Sequence, residues 1–228
     1  MDLGLRGRLA LVTGSTAGIG YAIAQGLLAE GARVVVNGRT PARVAAAIEG
    51  LNASGRVFGV AADMATVEGA ATVVAAVNAI GKLDVLVNNV GYFEVKPLAE
   101  LEDTDWDAMF QLNVMSAVRM SKAAMVSVAR GLAEATKGSG VTVNSALVGA
   151  TWSDGVDVFM QKMAQAQGLS VEQMTADYFK TEAGNSLLQR FATPKEIADQ
   201  IVFLCSANAS AVNGAAQRVD GGIIRAML

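Results

Sequence analysis

Apolar residues along the chain gather in short blocks separated by longer amphipathic stretches. Leu9–Val12 (LALV), Arg33–Asn37 (RVVVN), Val57–Ala62 (VFGVAA), Leu83–Val87 (LDVLV) and Val141–Leu147 (VTVNSAL) are too short for helices. Their Val and Leu content, with little strict alternation, predicts parallel strands buried on both faces. Between them Tyr21–Glu30, Pro41–Leu51 and Val67–Ile80 carry helical spacing. Thr40 before Pro41 and Thr66 before Val67 supply capping hydroxyls, while Gly31 and Gly81 supply helix stops. Strand and helix therefore alternate, predicting an α/β chain with a doubly wound parallel sheet, read as a single domain over 1–228.

The alternation fails after the fourth strand. Thr104 and Asp107 resemble a capping box that opens a helix through Trp106, Phe110, Leu112 and Asn113. No strand follows; QLNVMSAVRM runs directly into SKAAMVSVARGLAEA, and Gly138 is the first stop. A single helix from Thr104 to Lys137 would be roughly 50 Å long at 1.5 Å per residue. The pattern predicts that it projects, breaks near Ser121-Lys122, or marks an omitted segment. What is absent has the size of about one αβ period, roughly 30 residues. A single right-handed crossover would then carry the chain from the fourth strand to VTVNSALVG. Beyond it, Trp152–Leu188 reads as an insert with Phe159, Met160, Met163, Met174, Tyr178 and Phe179 on short helices, a composition suited to an apolar cover or to a core or dimer face. RFATPKEIADQIVFLC is a last helix with Pro194 near its start, followed by Asn213-Gly214 and the strand AAQRVDGG.

The first strand runs into Thr13-Gly14-Ser15-Thr16-Ala17-Gly18-Ile19-Gly20. Three glycines remove side chains where backbone must approach a ligand, and a helix begins at Ile19 with free N–H groups that favour an anion. The spacing is G-x-x-x-G-x-G, so the glycines alone are a weak signal. Their place after a first strand makes a dinucleotide pyrophosphate the better reading than a plain turn. At the end of the second strand, where an acidic ribose ligand is expected, the chain has Asn37-Gly38-Arg39. Arg39 therefore suits a 2′-phosphate, and NADP is favoured over NAD.

Composition narrows the chemistry. There are 18 basic and 21 acidic residues, a net charge of −3, and no Lys/Arg-rich run, which argues against nucleic acid. The chain has no histidine and one cysteine, Cys205, which rules out internal disulfides, Cys/His zinc sites and a His-based triad. No metal site is expected. The lack of an export signal or long apolar run predicts a cytoplasmic protein away from the membrane.

TGSTAGIG, Asn88-Asn89-Val90-Gly91, Asn113 and Val219-Asp220-Gly221-Gly222 together resemble the short-chain dehydrogenase/reductase family, in its acyl-carrier-protein reductase-like branch. The resemblance implies a cofactor held by Gly14, Ser15, Thr16, Gly18, Ile19, Gly20, Arg39, Asp63, Met64, Asn88, Val90, Gly91, Gly149 and Thr151, with Asp63 at the adenine. It implies hydride transfer between nicotinamide and a small-molecule carbonyl or secondary alcohol, in a homodimer or homotetramer. Asn113 and Lys122 would be the catalytic pair that remains, since the family's Ser and Tyr have no counterpart and Val118 stands four residues before Lys122. An impaired cofactor-binding protein or oligomer subunit is the rival reading. Tyr92 shares the Tyr-x-x-x-Lys spacing with Lys96, but Pro97 disfavours the helix that this spacing requires.

Overall fold

The computed structural model describes residues 2–92, 100–123, 133 and 136–224, with the side chains of 121–123 outside that description. Strands β1 (Leu9–Val12), β2 (Arg33–Gly38), β3 (Val57–Ala61) and β4 (Val85–Val87) form one parallel sheet in the order β3-β2-β1-β4. Helices α1 (Gly18–Ala29), α2 (Pro41–Leu51) and α3 (Val67–Ile80) make the connections. The alternating side chains of β1 divide the core into two layers. Ala10 and Val12 meet Ile23, Ala24 and Leu27 of α1 and Val202 of a later helix, all buried. Leu9 and Leu11 face the other way, onto Val73 and Val77 of α3 and Met120. Burial on both faces is why these strands carry near-continuous Val and Leu.

Capping follows the sequence closely in this half. The Thr40 and Thr66 hydroxyls accept from the N–H groups of Arg43 and Gly69, and α2 and α3 keep the predicted limits. Residues 103–123 are helical throughout: α4 (Asp103–Phe110), a π-helical turn (Gln111–Met115) and α5 (Ser116–Ala123). The opening differs from the Thr104/Asp107 reading, because the Asp105 carboxylate accepts from the N–H of Glu102 and starts the helix earlier. No break occurs at Ser121-Lys122; the irregularity is the π turn, centred on Asn113. The remainder of the proposed long helix, 124–132 and 134–135, lies outside the described residues.

The expected single crossover does not rebuild one sheet. Strand β5 (Ser145–Val148) pairs in parallel with β6 (Ala216–Val219), and these two form a second sheet with no pairing to β4. Among the described residues, β4 and β5 are therefore not paired with each other.

The insert contains α6 (Asp154–Gln167) and α7 (Val171–Lys180). Met160 and Phe179 are buried, and Tyr178 stacks on Phe191 at 5.3 Å with Trp152 edge-on to the same ring at 5.2 Å. These aromatics therefore pack on one another as a small core. The last helix, α8 (Pro194–Leu204), lies against α1, where Gly26 allows close approach: a Cβ there would come within 2.9 Å of Val202. Among the described residues, no helix is long and apolar enough to cross a membrane.

At the start of α8, Glu196 accepts from both guanidinium nitrogens of Arg190, at 2.7 and 3.0 Å, and from the N–H of Thr193. These bonds, Arg190 first, hold its carboxyl down at about 2, below the ordinary 4.5. A depressed folded-state value stabilises the fold above 4.5 and loses that contribution as pH falls toward 2. Glu196→Gln is therefore expected to lower the thermal midpoint at neutral pH, with the difference from the parent shrinking to nothing near pH 2. A difference that persisted unchanged at acid pH would rule out this assignment.

Candidate cofactor site

The glycine loop is shaped by a buried hydrogen-bond network that begins at Thr13, which has no solvent exposure. Its hydroxyl donates to the carbonyl of Val87 and accepts from the N–H groups of Asn89 and Val90. Asn89 returns two bonds, its Nδ2 donating at 3.0 Å to the carbonyls of Thr13 and Gly14. The ends of β1 and β4 are thereby tied together, which sets where the loop leaves the sheet. Of the Asn88-Asn89 pair, Asn89 makes this connection and Asn88 is exposed.

A second anchor comes from β2. Asn37, 1% exposed, accepts from the N–H of Gly14 and donates to the carbonyls of Val60 and Ala62. Its own N–H donates to the Ser15 hydroxyl, which in turn donates to the carbonyl of Val12. The N–H of Ser15 is also used, by the carbonyl of Asn37. Ser15 therefore shapes the loop through both its hydroxyl and its N–H. Thr13, Asn37 and Gly38 were missed as site residues. For Thr13 and Asn37 the signal was a polar residue at the end of an otherwise apolar strand, which normally requires a buried partner.

The glycines are fixed by contacts as well as by conformation. Gly14 has φ +61°, and a Cβ there would meet the Val90 Cα at 2.9 Å. At Gly20 a Cβ would lie 2.4 Å from both the Gly14 carbonyl oxygen and Asn89 Nδ2. Gly38 accommodates the methyl of Thr16, which a Cβ would meet at 2.5 Å. The loop leads into α1, whose cap position is Ala17 and has no side-chain bond to the first turn. Hydroxyl groups of Thr40, Thr66, Ser170 and Thr193 cap α2, α3, α7 and α8. The first-turn N–H groups of α1, including those of Gly18 and Ile19, thus lack the side-chain oxygen that α2, α3, α7 and α8 have, as do those of α6 behind Ser153. That arrangement suits an anion held by backbone donors.

Arg39 is exposed in the bend directly after β2, beside the loop. Asp63 is exposed at the end of β3, where its Oδ1 accepts from the N–H of Ala65 and organises the turn into α3. The Met64 side chain is 1% exposed and belongs to the core layer under α3, which leaves its backbone to face the site. The Gly149 N–H donates to Val219, and a Cβ there would strike the Asp220 backbone at 2.6 Å, so the glycine allows close packing of β5 on the segment after β6. Thr151 is buried and donates to the carbonyl of Gly149 at 2.9 Å.

Asn113, on the π turn, holds the chain after β4. Its Oδ1 accepts from the N–H of Tyr92 at 2.6 Å and its Nδ2 donates to the Tyr92 carbonyl at 2.8 Å. Asn113 thus fixes backbone through both ends of its amide, at a helical irregularity of the kind often found at functional sites. Tyr92 itself lies in irregular chain, and its spacing partner Lys96 is outside the described residues. Lys122 lies on α5 with Val118 one turn before it; the Lys122 side chain is outside the description. Among the described residues, no group of three or more His, Cys, Asp or Glu is placed to hold a metal.

A family model described as short chain dehydrogenase matches residues 8–152, and one described as enoyl-(acyl carrier protein) reductase matches residues 119–224. The oxidoreductase YvrD of Bacillus subtilis (strain 168) is 45% identical over 263 aligned positions covering all of both chains. With 228 residues here, at least 35 of those 263 positions have no counterpart in this chain. The D-threitol dehydrogenase of Mycolicibacterium smegmatis is 32% identical, over 97% of this chain and 94% of the relative. The structure of L-sorbose reductase from Gluconobacter frateurii, solved with NADPH and L-sorbose, superimposes with a TM-score of 0.91 at 28% identity over the whole of both chains. From the glycine loop to the C-terminal segment, the chain belongs to the short-chain dehydrogenase family.

Proposed function

We propose that this protein is an NADP(H)-dependent oxidoreductase acting on a small-molecule carbonyl or secondary alcohol. The observation that carries the reading is the loop between β1 and α1, where Gly14 and Gly20 leave no room for side chains and α1 begins without a side-chain cap. Backbone donors at Gly18 and Ile19 would hold the pyrophosphate, and Thr16, Asn88, Val90 and Gly91 would flank the dinucleotide. Arg39 would face the 2′-phosphate, and Asp63 retains a carboxylate oxygen for the adenine. Thr151 would lie toward the nicotinamide end. When bound, the dinucleotide supplies the hydride-transfer chemistry. Asn113 positions the Tyr92 backbone beside it. The L-sorbose reductase neighbour, solved with NADPH, supports the NADP preference. Assembly into a dimer or tetramer, a single-domain organisation and a cytoplasmic location complete the reading.

A second reading, cofactor binding with weak turnover, is favoured by Val118, which offers no proton one turn before Lys122. Loss of an acid/base group typically lowers rate by about 10²–10⁴-fold. The test is NADPH fluorescence titration alongside carbonyl-dependent NADPH oxidation, on protein whose intact mass agrees with 23.5 kDa. Binding with robust turnover selects the first reading, and binding with turnover lower by about that factor selects the second. Failure to bind NADPH or NADH would end both.

The phosphate assignment has its own test. Arg39→Glu removes a cation and adds a repelling charge, so NADPH affinity is expected to fall about tenfold or more while NADH affinity is kept, a difference of about 1.4 kcal/mol. An unchanged preference for NADPH would refute the role given to Arg39.

A further inference from the structure

We propose that a cavity at the N-terminal edge of the main sheet, lined by Arg6, Arg33 and Arg56, binds a small ligand through a phosphate group of two or more negative charges. The inference is independent of the cofactor reading, because the glycine loop leaves the opposite, C-terminal end of β1. Strand order explains how the charges meet. Arg33 is the first residue of β2, Arg56 immediately precedes β3, and Arg6 stands three residues before β1. The order β3-β2-β1 sets these positions side by side along one edge, around a cavity of about 490 Å³. That volume is in the range of sites for small molecules.

The charge in this cavity is one-sided. Arg8 is matched by Asp84 at 3.1 Å, but Arg6, Arg33 and Arg56 form no ion pair among the described residues. No acidic residue lines the cavity; Ala29 and Gly31 line it, and Glu30 between them does not. Like charges around one concavity repel one another and focus a positive field there, which a bound anion relieves.

Backbone contacts hold the guanidinium groups in place. Arg56 Nη1 donates to the carbonyls of Leu28 at 2.7 Å and Ala32 at 3.3 Å, which ties it to the end of α1. Its Nη2 and Nε make no hydrogen bond among the described residues. The Arg6 stem packs across Gly31, where a Cβ would come within 3.4 Å of it, and its guanidinium also makes no hydrogen bond among the described residues. Arg33 is committed elsewhere, over the Phe58 ring at 5.3 Å and to the Ile80 carbonyl at 3.4 Å. It adds charge, and contact with the ligand falls to Arg6 and Arg56, both exposed. Gly55, with nothing within 4 Å of its Cβ position, keeps one wall open. A guanidinium presents a planar fork of donors that matches phosphate oxygens, so two of them suit this ligand chemistry.

Pyrophosphate is the probe, titrated calorimetrically into the full chain with NADPH present in excess to occupy the glycine loop. Saturable 1:1 binding is expected, weakening as ionic strength rises. Ala29→Glu puts a carboxylate on the cavity wall at an exposed position in the last turn of α1, and should weaken pyrophosphate at least about tenfold. Ala29→Gln, of the same size without the charge, should stay within about twofold of the parent. Arg6→Ala should cost about tenfold at an unchanged melting temperature, since its guanidinium makes no hydrogen bond to lose. The Ala29 pair acts at this cavity alone, so its result stands whether or not NADPH binds. Glucose 6-phosphate binding with the same dependence on Ala29 assigns the site to phosphorylated organic molecules, and binding of pyrophosphate alone assigns it to inorganic phosphates. The proposal is overturned if pyrophosphate fails to bind, if NADPH displaces it, if Ala29→Glu and Ala29→Gln bind it equally, or if Arg6→Ala leaves its affinity unchanged.

Discussion

Gly20→Val is expected to reduce NADPH affinity by at least a hundredfold, about 2.7 kcal/mol. The reason is placement rather than backbone conformation. A Cβ at this position would lie 2.4 Å from the Gly14 carbonyl oxygen and 2.9 Å from the Ser15 Cα, both main-chain atoms of the loop itself. Neither can rotate aside as a flexible side chain would. The third neighbour, Asn89 Nδ2, is bound to the Thr13 and Gly14 carbonyls, so displacing it breaks two further hydrogen bonds. The loop must therefore open, and opening it moves the N–H groups of Gly18 and Ile19 away from the place where they would converge on an anion. Fluorescence titration reads the affinity and a thermal melt reads the fold. Gly155→Ala is the control, since a Cβ there meets nothing within 4 Å and the residue lies in helix α6. Affinity in Gly20→Val equal to that of the parent would remove the glycine loop from the binding site.

Asn37→Leu is expected to destabilise the whole fold by about 3–5 kcal/mol, since each buried partner left without a hydrogen bond costs about 1–3 kcal/mol. The substitution keeps a similar volume and removes one acceptor and two donor bonds. It leaves the N–H of Gly14 and the carbonyls of Val60 and Ala62 without those partners. Asn37 is 1% exposed, so water cannot replace what is lost without opening the structure. Domains of this size typically have only about 5–15 kcal/mol of stability in total. The melting midpoint should fall by about 10 °C, at roughly 2–4 °C for each kcal/mol. A midpoint within a degree of the parent would show that the three bonds contribute little. Asn37 joins β1, β2 and β3 at the end from which the loop emerges, so the variant should also lose cofactor affinity at temperatures where it is still folded.

The two substitutions act on opposite sides of one loop and expose how differently its parts could be read in advance. Gly14, Gly18 and Gly20 announce a close approach of backbone to something, because three glycines between a strand and a helix have few other uses. Asn37 announces only that a polar residue ends an apolar strand. Its carbonyl partners, Val60 and Ala62, are 23 and 25 residues away in the chain, on β3 and just past its end, and no local pattern names them. Ser15 is similar, since its hydroxyl bonds to Val12 and Asn37. The burial of the Met64 side chain under α3 and the packing of Gly149 against Asp220 are likewise set by distant contacts.

By itself the sequence determined the strand–helix alternation, the limits of α2 and α3, the uncapped start of α1 and the absence of a tyrosine one turn before Lys122. Each of these is local: a periodicity, a capping hydroxyl, a proline at a first turn or a residue type at a fixed spacing. Only the tertiary structure decided that Asn89 and Asn37 tie the loop to the sheet and that Asn113 clamps the backbone of Tyr92 from a π turn. The same is true of the pairing of β5 with β6 in a second sheet. These depend on which strands lie side by side. Pairing is settled by how helices pack on both faces of the sheet, through contacts between residues far apart in the chain, and no short stretch of sequence records them.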